Sequence, residues 1–293
     1  MAGLAGSGRV TRTGESSDRF LTPWQIQGAQ RLPVIVRAQG SYLYDQSGRA
    51  YFDLSSGWIC TNLGYSNPRI ASAIAAQAST LSYVAPHLGC DVRTQFAQRL
   101  SEYAPWAENA RVHFTSGGGD ANDDAIRIAR RLTGRSKVLA AYRSYHGDTL
   151  ASAALTGGAR RWPAEPMIPP GVVRFFTPGG TAPAFDSQDS REETNRALRH
   201  LDSVIGLENP DSIAALIIEP VLGSAGLIAY PTDYLRGLRD LATKYGILLI
   251  HDEVMCGFGR VGEIFASARL GLNRTSSPSQ RVSRELTSPL AAF

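Results

Sequence analysis

Short runs of apolar residues alternate along the second half of the chain with longer segments whose apolar residues recur every three or four positions. The first pattern predicts strands buried on both faces, and the second predicts amphipathic helices. Alternation of the two is typical of α/β proteins, in which helices connect the strands of a mostly parallel sheet. The predicted strands cover residues 137–142, 172–176, 211–220 and 247–251, and the main connecting helices cover residues 191–205 and 234–244.

The first part of the chain follows a different pattern. Residues 34–54 contain two β-rich runs separated by the turn-forming residues 45–48, which predicts a hairpin. Apolar residues at helical spacing then predict helices over residues 68–81 and 95–103. The first twenty residues are mostly small and polar, and we expect them to be mobile.

An acidic pair follows the most apolar of the predicted strands. The run of residues 247–251 ends in His251 and continues into Asp252, Glu253 and a glycine-rich loop. Carboxylates just past the carboxyl end of a buried strand lie where open α/β sheets bind their ligands. The alternative is an acidic side chain that leaves the core for solvent. For a single acid at a strand end, that alternative is the more common one. The other motifs of the chain decide between the two.

A second motif joins a predicted strand over residues 112–115, a loop of Ser116 with three glycines, and a helix that starts at Asp120. This arrangement presents backbone N–H groups and the positive end of a helix to an anion such as phosphate. Glycines permit close approach because they carry no Cβ. A loop of three glycines alone is more often a simple turn. The spacing also lacks the GxGxxG pattern, which disfavours a dinucleotide-binding oxidoreductase.

The string DEVMCGFGRVGEIFA, residues 252–266, is similar to the signature of class III aminotransferases, which use pyridoxal phosphate. The resemblance implies that Asp252 forms an ion pair with the pyridine nitrogen of the cofactor and that Val254 packs against one face of its ring. A buried carboxylate would keep that nitrogen protonated, which makes the ring an electron sink. The loop SGGGDAN resembles the phosphate-binding loop of the family, which implies that Gly118 and Gly119 bind the cofactor phosphate. Gly119 replaces a usual Ser or Thr, so backbone groups alone would serve.

Three further segments are in register with this signature. The resemblance implies that Tyr145 of SYHG lies flat on the cofactor ring and that His146 completes the motif. Glu219 of IIEP would lie in the pocket and help to sort α-carboxylate from ω-amine substrates, with a simple strand cap as the alternative. Trp58 of SSGWIC would form a wall of the substrate pocket, and an ordinary core aromatic is an equal alternative. Tyr65 stands where the family usually has histidine.

The matching motifs cover residues 42 to about 272. The resemblance implies the fold type I of pyridoxal-phosphate-dependent transferases, with a mostly parallel central sheet, flanking helices and an incomplete small domain. It divides the chain into a mobile N-terminus (1–20), the N-terminal part of the small domain (21–60), an incomplete large cofactor-binding domain (61–272) and a tail outside the family pattern (273–293), which we expect to be disordered. The motifs look nearest the branch that transfers amino groups from ω-amino acids or taurine to pyruvate.

The chain departs from the family pattern in its lysines. The family holds its cofactor through a Schiff-base lysine, expected here near Arg281, but the chain contains only Lys137 and Lys244, and both precede Asp252. No catalytic residue is therefore assigned. The resemblance implies a transaminase that moves an amino group from an ω-amino or amino acid donor to a 2-oxo acid such as pyruvate, inactive in this chain. The alternative is a truncated, non-catalytic product that binds cofactor or pairs with a full-length subunit. A reading-frame shift near residue 273 is one hypothesis for the tail.

Composition narrows the remaining function classes. Apolar residues make up 43% and charged residues 19% of the chain, as in ordinary globular proteins. The net charge of +4 is not gathered into a basic cluster with interleaved aromatics, so we predict no nucleic-acid partner. No apolar run is long enough to span a bilayer, so we predict no membrane partner. We also predict no metal site. Three cysteines without a CxxC pair suit free thiols in the cytoplasm. The family resemblance also implies a homodimer.

Overall fold

The computed structural model describes residues 33–104, 110–180, 184–187, 189–269 and 285–288. It divides the chain into two compact units, Met1–Ala78 and Ser79–Phe293. The division falls later than the predicted boundary at residue 60. The reason is a backbone bridge between Gly40 and Tyr65, which ties the segment after residue 60 to the small sheet of the first unit. The predicted mobile N-terminus, residues 1–20, lies outside the described residues.

The sheet of the first unit consists of three antiparallel strands, β1 (Ile35–Gln39), β2 (Tyr42–Asp45) and β3 (Ala50–Phe52), in that order. The hairpin predicted around residues 45–48 is formed by β2 and β3. The first β-rich run is divided into β1 and β2 by a second turn at Gly40 and Ser41, which the sequence pattern did not separate.

A turn of unusual handedness, α1 (Ser56–Ile59), follows this sheet. All four of its residues have positive φ, at 53° for Ser56, 55° for Gly57, 56° for Trp58 and 71° for Ile59. The amides of Ile59 and Cys60 donate to the carbonyls four residues earlier, so the segment is one turn of a left-handed helix. Left-handed backbone costs about 1–2 kcal/mol for each residue that carries a side chain, and three of these four residues carry one. Neighbouring contacts must therefore hold the turn.

Most of the helices and strands predicted after this turn agree with the structure, which also contains short elements that the sequence pattern did not indicate. Helix α2 covers Pro68–Thr80 and α3 covers Asp91–Tyr103. The other helices are α4 (Gly118–Thr133), α5 (Leu150–Leu155), α6 (Ser190–Leu207), α7 (Thr232–Tyr245) and α8 (Ala266–Arg269), with 3₁₀ segments at Ala159–Met167 and Pro210–Ser212. The strands are β4 (Lys137–Ala141), β5 (Val172–Phe175), β6 (Ile213–Ile218), β7 (Val221–Leu222), β8 (Ile228–Ala229), β9 (Leu248–Asp252) and β10 (Glu285–Ser288). Among the described residues, no helix combines the length and apolar character needed to cross a bilayer.

The main sheet has the strand order β10-β9-β6-β4-β5, and every neighbouring pair is parallel. All side chains of β6 and β9 are buried because helices cover both faces of the sheet. Alternate residues of β6 enter two separate clusters: Leu216 and Ile218 pack with residues of α6 and α7, while Ala215 and Ile217 pack with residues of α4. The sheet is thus the middle layer of three, and its carboxyl edge faces the loops that carry the predicted motifs.

Two expectations from the sequence differ from the structure. Residues 112–115, predicted to be a strand, are not assigned to one, because no described strand pairs with them. The tail expected to be disordered contributes β10, which lies parallel to β9 and pairs Glu285 with Leu249. The outer edge of β9 offers unpaired backbone groups to any extended segment, which explains how a tail without helical or strand periodicity can form a strand there. The rest of the tail lies outside the described residues.

We expect a pH effect on stability from His251 in β9. Burial, with the charge of Arg239 as a second cause, lowers the pKa of His251 from its ordinary value of 6.5 to about 3. His251 therefore takes up a proton near pH 6.5 in the unfolded chain but only near pH 3 in the folded chain. The contribution of neutral His251 to the free energy of unfolding is present in full well above pH 6.5 and decreases as the pH falls. Between pH 7.5 and 5 the expected loss is about 2 kcal/mol.

Urea denaturation at these two pH values measures the loss. The variant His251→Asn should lose about 2 kcal/mol less than the parent over the same interval, because it removes the titrating group. The exposed His87 provides a matched control, and His87→Gln should keep the parental difference. An equal loss in the parent and in His251→Asn would contradict the expectation.

Candidate functional site

The carboxylate of Asp252, at the carboxyl end of β9, is the centre of a buried hydrogen-bond network. Its Oδ2 accepts from Asn122 Nδ2 at 2.8 Å and from His146 Nδ1 at 2.7 Å, and its Oδ1 accepts from the Val254 amide at 3.1 Å. Only 4% of the Asp252 surface is exposed. A buried carboxylate is tolerated when several donors surround it, and here three donors do so. The sequence prediction that Asp252 is a buried, functional acid is consistent with this geometry.

His146 is fixed in one orientation by this network. An ionised carboxylate can only accept, so the Nδ1 atom that lies against Asp252 carries the proton. The amide of His146 donates to Thr156 Oγ1, and its carbonyl accepts from Asn122 Nδ2. Among the described residues, no group makes a hydrogen bond to Nε2, which is buried. His146 thus holds the Asp252 carboxylate through Oδ2.

The sequence interpretation missed Asn122. This residue lies in the first turns of α4, fully buried, on the same face as Ala121, Ala125 and Ala129. A buried amide among alanines must find polar partners, and Asn122 finds them in His146 and Asp252. The signal was present in the sequence as one polar residue on an otherwise apolar helical face.

Glu219 reaches the same cluster from the end of β6. Its Oε1 accepts from the Tyr145 amide at 2.9 Å, and its Oε2 accepts from the Gly223 amide at 3.0 Å. Burial raises the pKa of Glu219 to about 7, with His146 opposing and Asp252 adding to the shift. The carboxyl group is therefore poised between its neutral and ionised forms near neutral pH. Its bonds to two backbone amides are compatible with both the pocket role and the strand-cap alternative, and one of them positions Tyr145.

The glycine loop approaches the network closely. A Cβ on Gly118 would lie 2.8–2.9 Å from the methyl groups of Val254, and a Cβ on Gly147 would lie 2.8 Å from the Cα of Gly119 and 2.5 Å from Ser152 Oγ. These positions therefore admit only glycine without rearrangement. The structure brings Gly118 and Val254 together, whereas their contacts with a cofactor stay predictions. The hydroxyls of Thr149 and Ser152 lie beside Gly119, where the family has a hydroxyl of its own.

Helix α4 begins at Gly118 and points its N-terminus at this edge of the sheet. Gly117 precedes it in an extended conformation and offers no side-chain cap. Uncapped N–H groups at the start of a sixteen-residue helix form a favourable place for an anion. The role of this loop in phosphate binding stays a prediction, and the strand predicted before the loop is absent from the described sheet.

Tyr145 is half-buried beside these groups. Its hydroxyl donates to Asp148 Oδ2 at 3.1 Å, and the guanidinium of Arg160 lies 5.1 Å from the centre of its ring. Burial, with the charge of Asp148 as a second cause, raises the pKa of Tyr145 to about 12, so the phenol stays protonated at neutral pH. The sequence interpretation assigned no chemistry to Arg160, which the structure places over the ring as a cation–π partner.

Residues 26–274 match the family model described as Aminotransferase class-III, which is most of the 293-residue chain. The chain belongs to the class III aminotransferases. A probable aminotransferase of Mycobacterium tuberculosis is 38% identical over 248 residues, covering 82% of this chain and 52% of the relative. Vanillin aminotransferase of Capsicum annuum is 34% identical over 247 residues, covering 82% and 54%. The chain therefore spans about half the length of these class III relatives.

Solved structures of the same kind superpose well. The taurine:2-oxoglutarate aminotransferase of Bifidobacterium kashiwanohense, in complex with PLP and glutamate, matches with a TM-score of 0.81 at 38% identity, over 87% of this chain and 57% of that one. An amine transaminase of an uncultivated Pseudomonas species, in its PLP-bound form, matches with a TM-score of 0.84 at 31% identity, over 88% and 61%. The predicted family and the predicted fold type I, with its parallel sheet and flanking helices, are confirmed.

Both lysines of this class III chain lie away from the network. Lys137 is the first residue of β4, and its Nζ binds the carbonyl at 2.9 Å and the carboxylate at 2.6 Å of Glu208. Lys244 is in the last turn of α7, and its Nζ binds Asp202 Oδ1 at 2.9 Å. Because the strands are parallel, the start of β4 and the end of α7 lie at the amino edge of the sheet, opposite to Asp252. Arg281, near which the family lysine was expected, lies outside the described residues.

Trp58 belongs to the first unit, whereas the network around Asp252 belongs to the second. Its side chain is 65% exposed, which argues against the alternative of an ordinary core aromatic. Its place in a substrate pocket stays a prediction. An open cleft of about 350 Å³ lies beside the start of α4, and its lining includes Asp120, Asp123 and Asp124. Three carboxylates disfavour a phosphate in that cleft, which contains none of the predicted cofactor residues.

Proposed function

We propose that this chain forms the cofactor-binding half of a class III transaminase, and that it binds pyridoxal phosphate without turning over substrate. The observation that carries the proposal is the buried Asp252 carboxylate, held by His146 and Asn122 beside a glycine loop at the carboxyl edge of the sheet. A buried, uniquely oriented acid next to an uncapped helix N-terminus suits a ligand with a basic ring nitrogen and a phosphate.

The residues present fit this cofactor. The backbone at Gly118, Gly119 and Gly147 packs closely against Val254, Thr149 and Ser152, which positions the loop beside the start of α4, whose uncapped N–H groups would bind the phosphate. When bound, pyridoxal phosphate supplies an electron sink for the carbon that exchanges the amino group. Asp252 would hold the proton on the ring nitrogen, and His146 would keep that carboxylate from turning away. Val254 and Tyr145 would pack against the ring.

We propose that the site lacks the primary amine that turnover requires. A primary amine beside the cofactor is needed to hold it covalently and to carry a proton between substrate and cofactor. Lys137 and Lys244 are bound to Glu208 and Asp202 at the other edge of the sheet. We therefore infer that the chain binds cofactor reversibly and does not catalyse amino transfer by itself. A longer version of the protein with a lysine beside the cofactor would carry the activity.

For such a longer version, the proposed substrates are an amino donor and a 2-oxo acid acceptor. The similarity to a taurine:2-oxoglutarate aminotransferase and to an amine transaminase supports ω-amino compounds as donors. Glu219, with a pKa near 7, would contact the substrate side of the cofactor, and Trp58 would contribute a pocket wall. The cytoplasm remains the proposed location, consistent with Cys60, Cys90 and Cys256 as free thiols.

A homodimer, or pairing with a longer subunit, is proposed from the exposed apolar side chains. Helix α2 buries none of its residues, and Ile70 and Ile74 on it are 40% and 57% exposed. Val92 and Phe96 on α3 are 51% and 40% exposed. Helices with exposed apolar faces are typical of subunit interfaces. Size-exclusion chromatography of the purified chain reports whether it is monomeric, dimeric or aggregated.

The test is a titration with pyridoxal phosphate followed by borohydride reduction and mass spectrometry. We expect saturable, reversible binding, no turnover of amine and pyruvate, and no stoichiometric adduct on either lysine. The double variant Lys137→Arg, Lys244→Arg contains no lysine and provides the matched control, because it should bind cofactor as well as the parent. A stoichiometric adduct on Lys137 or Lys244, or a large loss of affinity in the double variant, would contradict the proposal.

A further inference from the structure

The carboxylate of Asp53, just before the left-handed turn α1, accepts four hydrogen bonds from residues in and near the turn. Its Oδ1 accepts from the amide of Ser55 at 2.9 Å and from the hydroxyl of Ser55 at 2.8 Å. Its Oδ2 accepts from the amide of Gly57 at 2.6 Å and from the hydroxyl of Tyr65 at 2.9 Å. A charged acceptor shared by four donors makes strong bonds, so Asp53 joins the start of the turn to Tyr65.

Tyr65 also touches the turn directly. A Cβ on Gly57 would lie 2.8 Å from the Tyr65 hydroxyl oxygen and 3.0 Å from a methyl group of Thr61. The backbone of Tyr65 is in turn fixed by its bridge to Gly40 of the small sheet. The backbone of Tyr65 is thus bonded to the small sheet, while its hydroxyl lies against the strained turn.

We propose that Tyr65 is a positioning residue which, through Asp53, holds Ser56–Ile59 left-handed and so sets the direction of Trp58 before any ligand binds. Trp58 is in the middle of the turn, with φ 56° and ψ 49°, and its side chain is 65% exposed. Relaxation of the turn to a right-handed backbone would move the indole to another side of the chain. The role of Trp58 as a pocket wall rests on the proposed function, whereas the hold on the turn does not.

The same unit contains a matched arrangement without strain. Asp45 accepts from the Ser47 amide and hydroxyl, from the Arg49 amide and from the Tyr51 hydroxyl at 2.9 Å. Between residues 45 and 51 the only positive φ belongs to Gly48, which adopts it at little cost. Tyr51→Phe therefore removes a bond of the same kind as Tyr65→Phe, but from a turn that needs no restraint.

Hydrogen exchange measured by mass spectrometry tests the proposal without cofactor. In Tyr65→Phe we expect amide exchange over residues 57–61 to become at least about tenfold faster, because loss of a bond to a charged group releases the turn. In Tyr51→Phe we expect the exchange over residues 45–49 to change by less than about threefold. The variant Asp53→Asn should release residues 57–61 at least as much as Tyr65→Phe.

A second readout follows Trp58 itself. The chain has four tryptophans, so the fluorescence anisotropy of Trp58 is obtained by subtracting the signal of Trp58→Phe in each background. We expect lower anisotropy in Tyr65→Phe and no change in Tyr51→Phe. Unchanged exchange and anisotropy in Tyr65→Phe would overturn the proposal. So would equal effects of both tyrosine variants, or loss of protection across β1, β2 and β3 as well, since Tyr65 would then merely support the sheet.

Failure of the proposed function would look different. Absence of pyridoxal phosphate binding by the parent chain would refute the function assigned to the second unit. It would leave the exchange and anisotropy of the turn unchanged, because both are measured in cofactor-free protein.

Discussion

Replacement of Asp252 by asparagine is expected to weaken the binding of pyridoxal phosphate about 100-fold. The substitution keeps the size of the side chain but removes the charge that would pair with a protonated ring nitrogen. It also replaces one acceptor oxygen by an NH₂ group, so either the Val254 amide, which donates to Oδ1, or the donors of Asn122 and His146, which share Oδ2, lose their acceptor. Loss of one partner in a buried, hydrogen-bonded charge pair commonly costs 2–5 kcal/mol, which corresponds to this range of affinity.

Equilibrium dialysis with pyridoxal phosphate measures the change, and thermal unfolding shows whether the variant is folded. Asp233→Asn is a suitable control, because the Asp233 side chain is 82% exposed on α7 and should leave the affinity unaltered. Asn122→Ala removes one donor but keeps the charge, and we expect an intermediate loss of about tenfold. Equal affinities of Asp252→Asn and the parent would show that the cofactor does not use this carboxylate.

Replacement of Gly157 by alanine is expected to destabilise the folded chain by about 3 kcal/mol, at the upper end of the range for overpacked sites. The new Cβ would lie 2.2 Å from the carbonyl oxygen of Ala141, 2.7 Å from the Cα of Tyr142 and 2.8 Å from the amide nitrogen of Arg143. All three are backbone atoms at the carboxyl end of β4, so no side chain can rotate away to relieve the contact.

The effect should extend to the site. The Gly157 amide donates to the carbonyl of Ser144 at 2.9 Å and to its hydroxyl at 3.2 Å, which fixes the chain just before Tyr145 and His146. We therefore expect weaker cofactor binding together with the loss of stability. Urea denaturation measures the stability, and dialysis measures the affinity.

Gly158 provides the matched control for this substitution. Its φ of −82° is accessible to alanine, and a Cβ there would meet only the Ser144 carbonyl oxygen, at 3.8 Å. Gly158→Ala should therefore change the free energy of unfolding by no more than about 0.5 kcal/mol. Similar effects of the two substitutions would mean that the backbone around Gly157 adjusts freely, contrary to the close packing described above.

The sequence by itself determined the layered α/β architecture. The limits of β4, β5, β6 and α7 follow from hydrophobic periodicity, which is a local property that buried strands and amphipathic helices impose on any chain. Short motifs indicated the family, which the comparison confirmed, and predicted Asp252, Val254, Gly118 and Glu219 as site residues, because close approach and charge at a ligand site restrict residue type at fixed spacing. These features could be predicted since each depends on neighbours within a few positions.

Only the tertiary structure decided how distant residues meet. Asn122 and His146 are 130 and 106 positions from Asp252, and no local pattern indicates that the three side chains share hydrogen bonds. The failure of residues 112–115 to form a strand and the pairing of β10 with β9 depend on which sheet edge is available. The left-handed turn at Ser56–Ile59 depends on contacts with Asp53 and Tyr65 that outweigh the intrinsic preference of its residues. Local propensity determines elements, whereas long-range contacts determine register, strain and the environment of a buried charge.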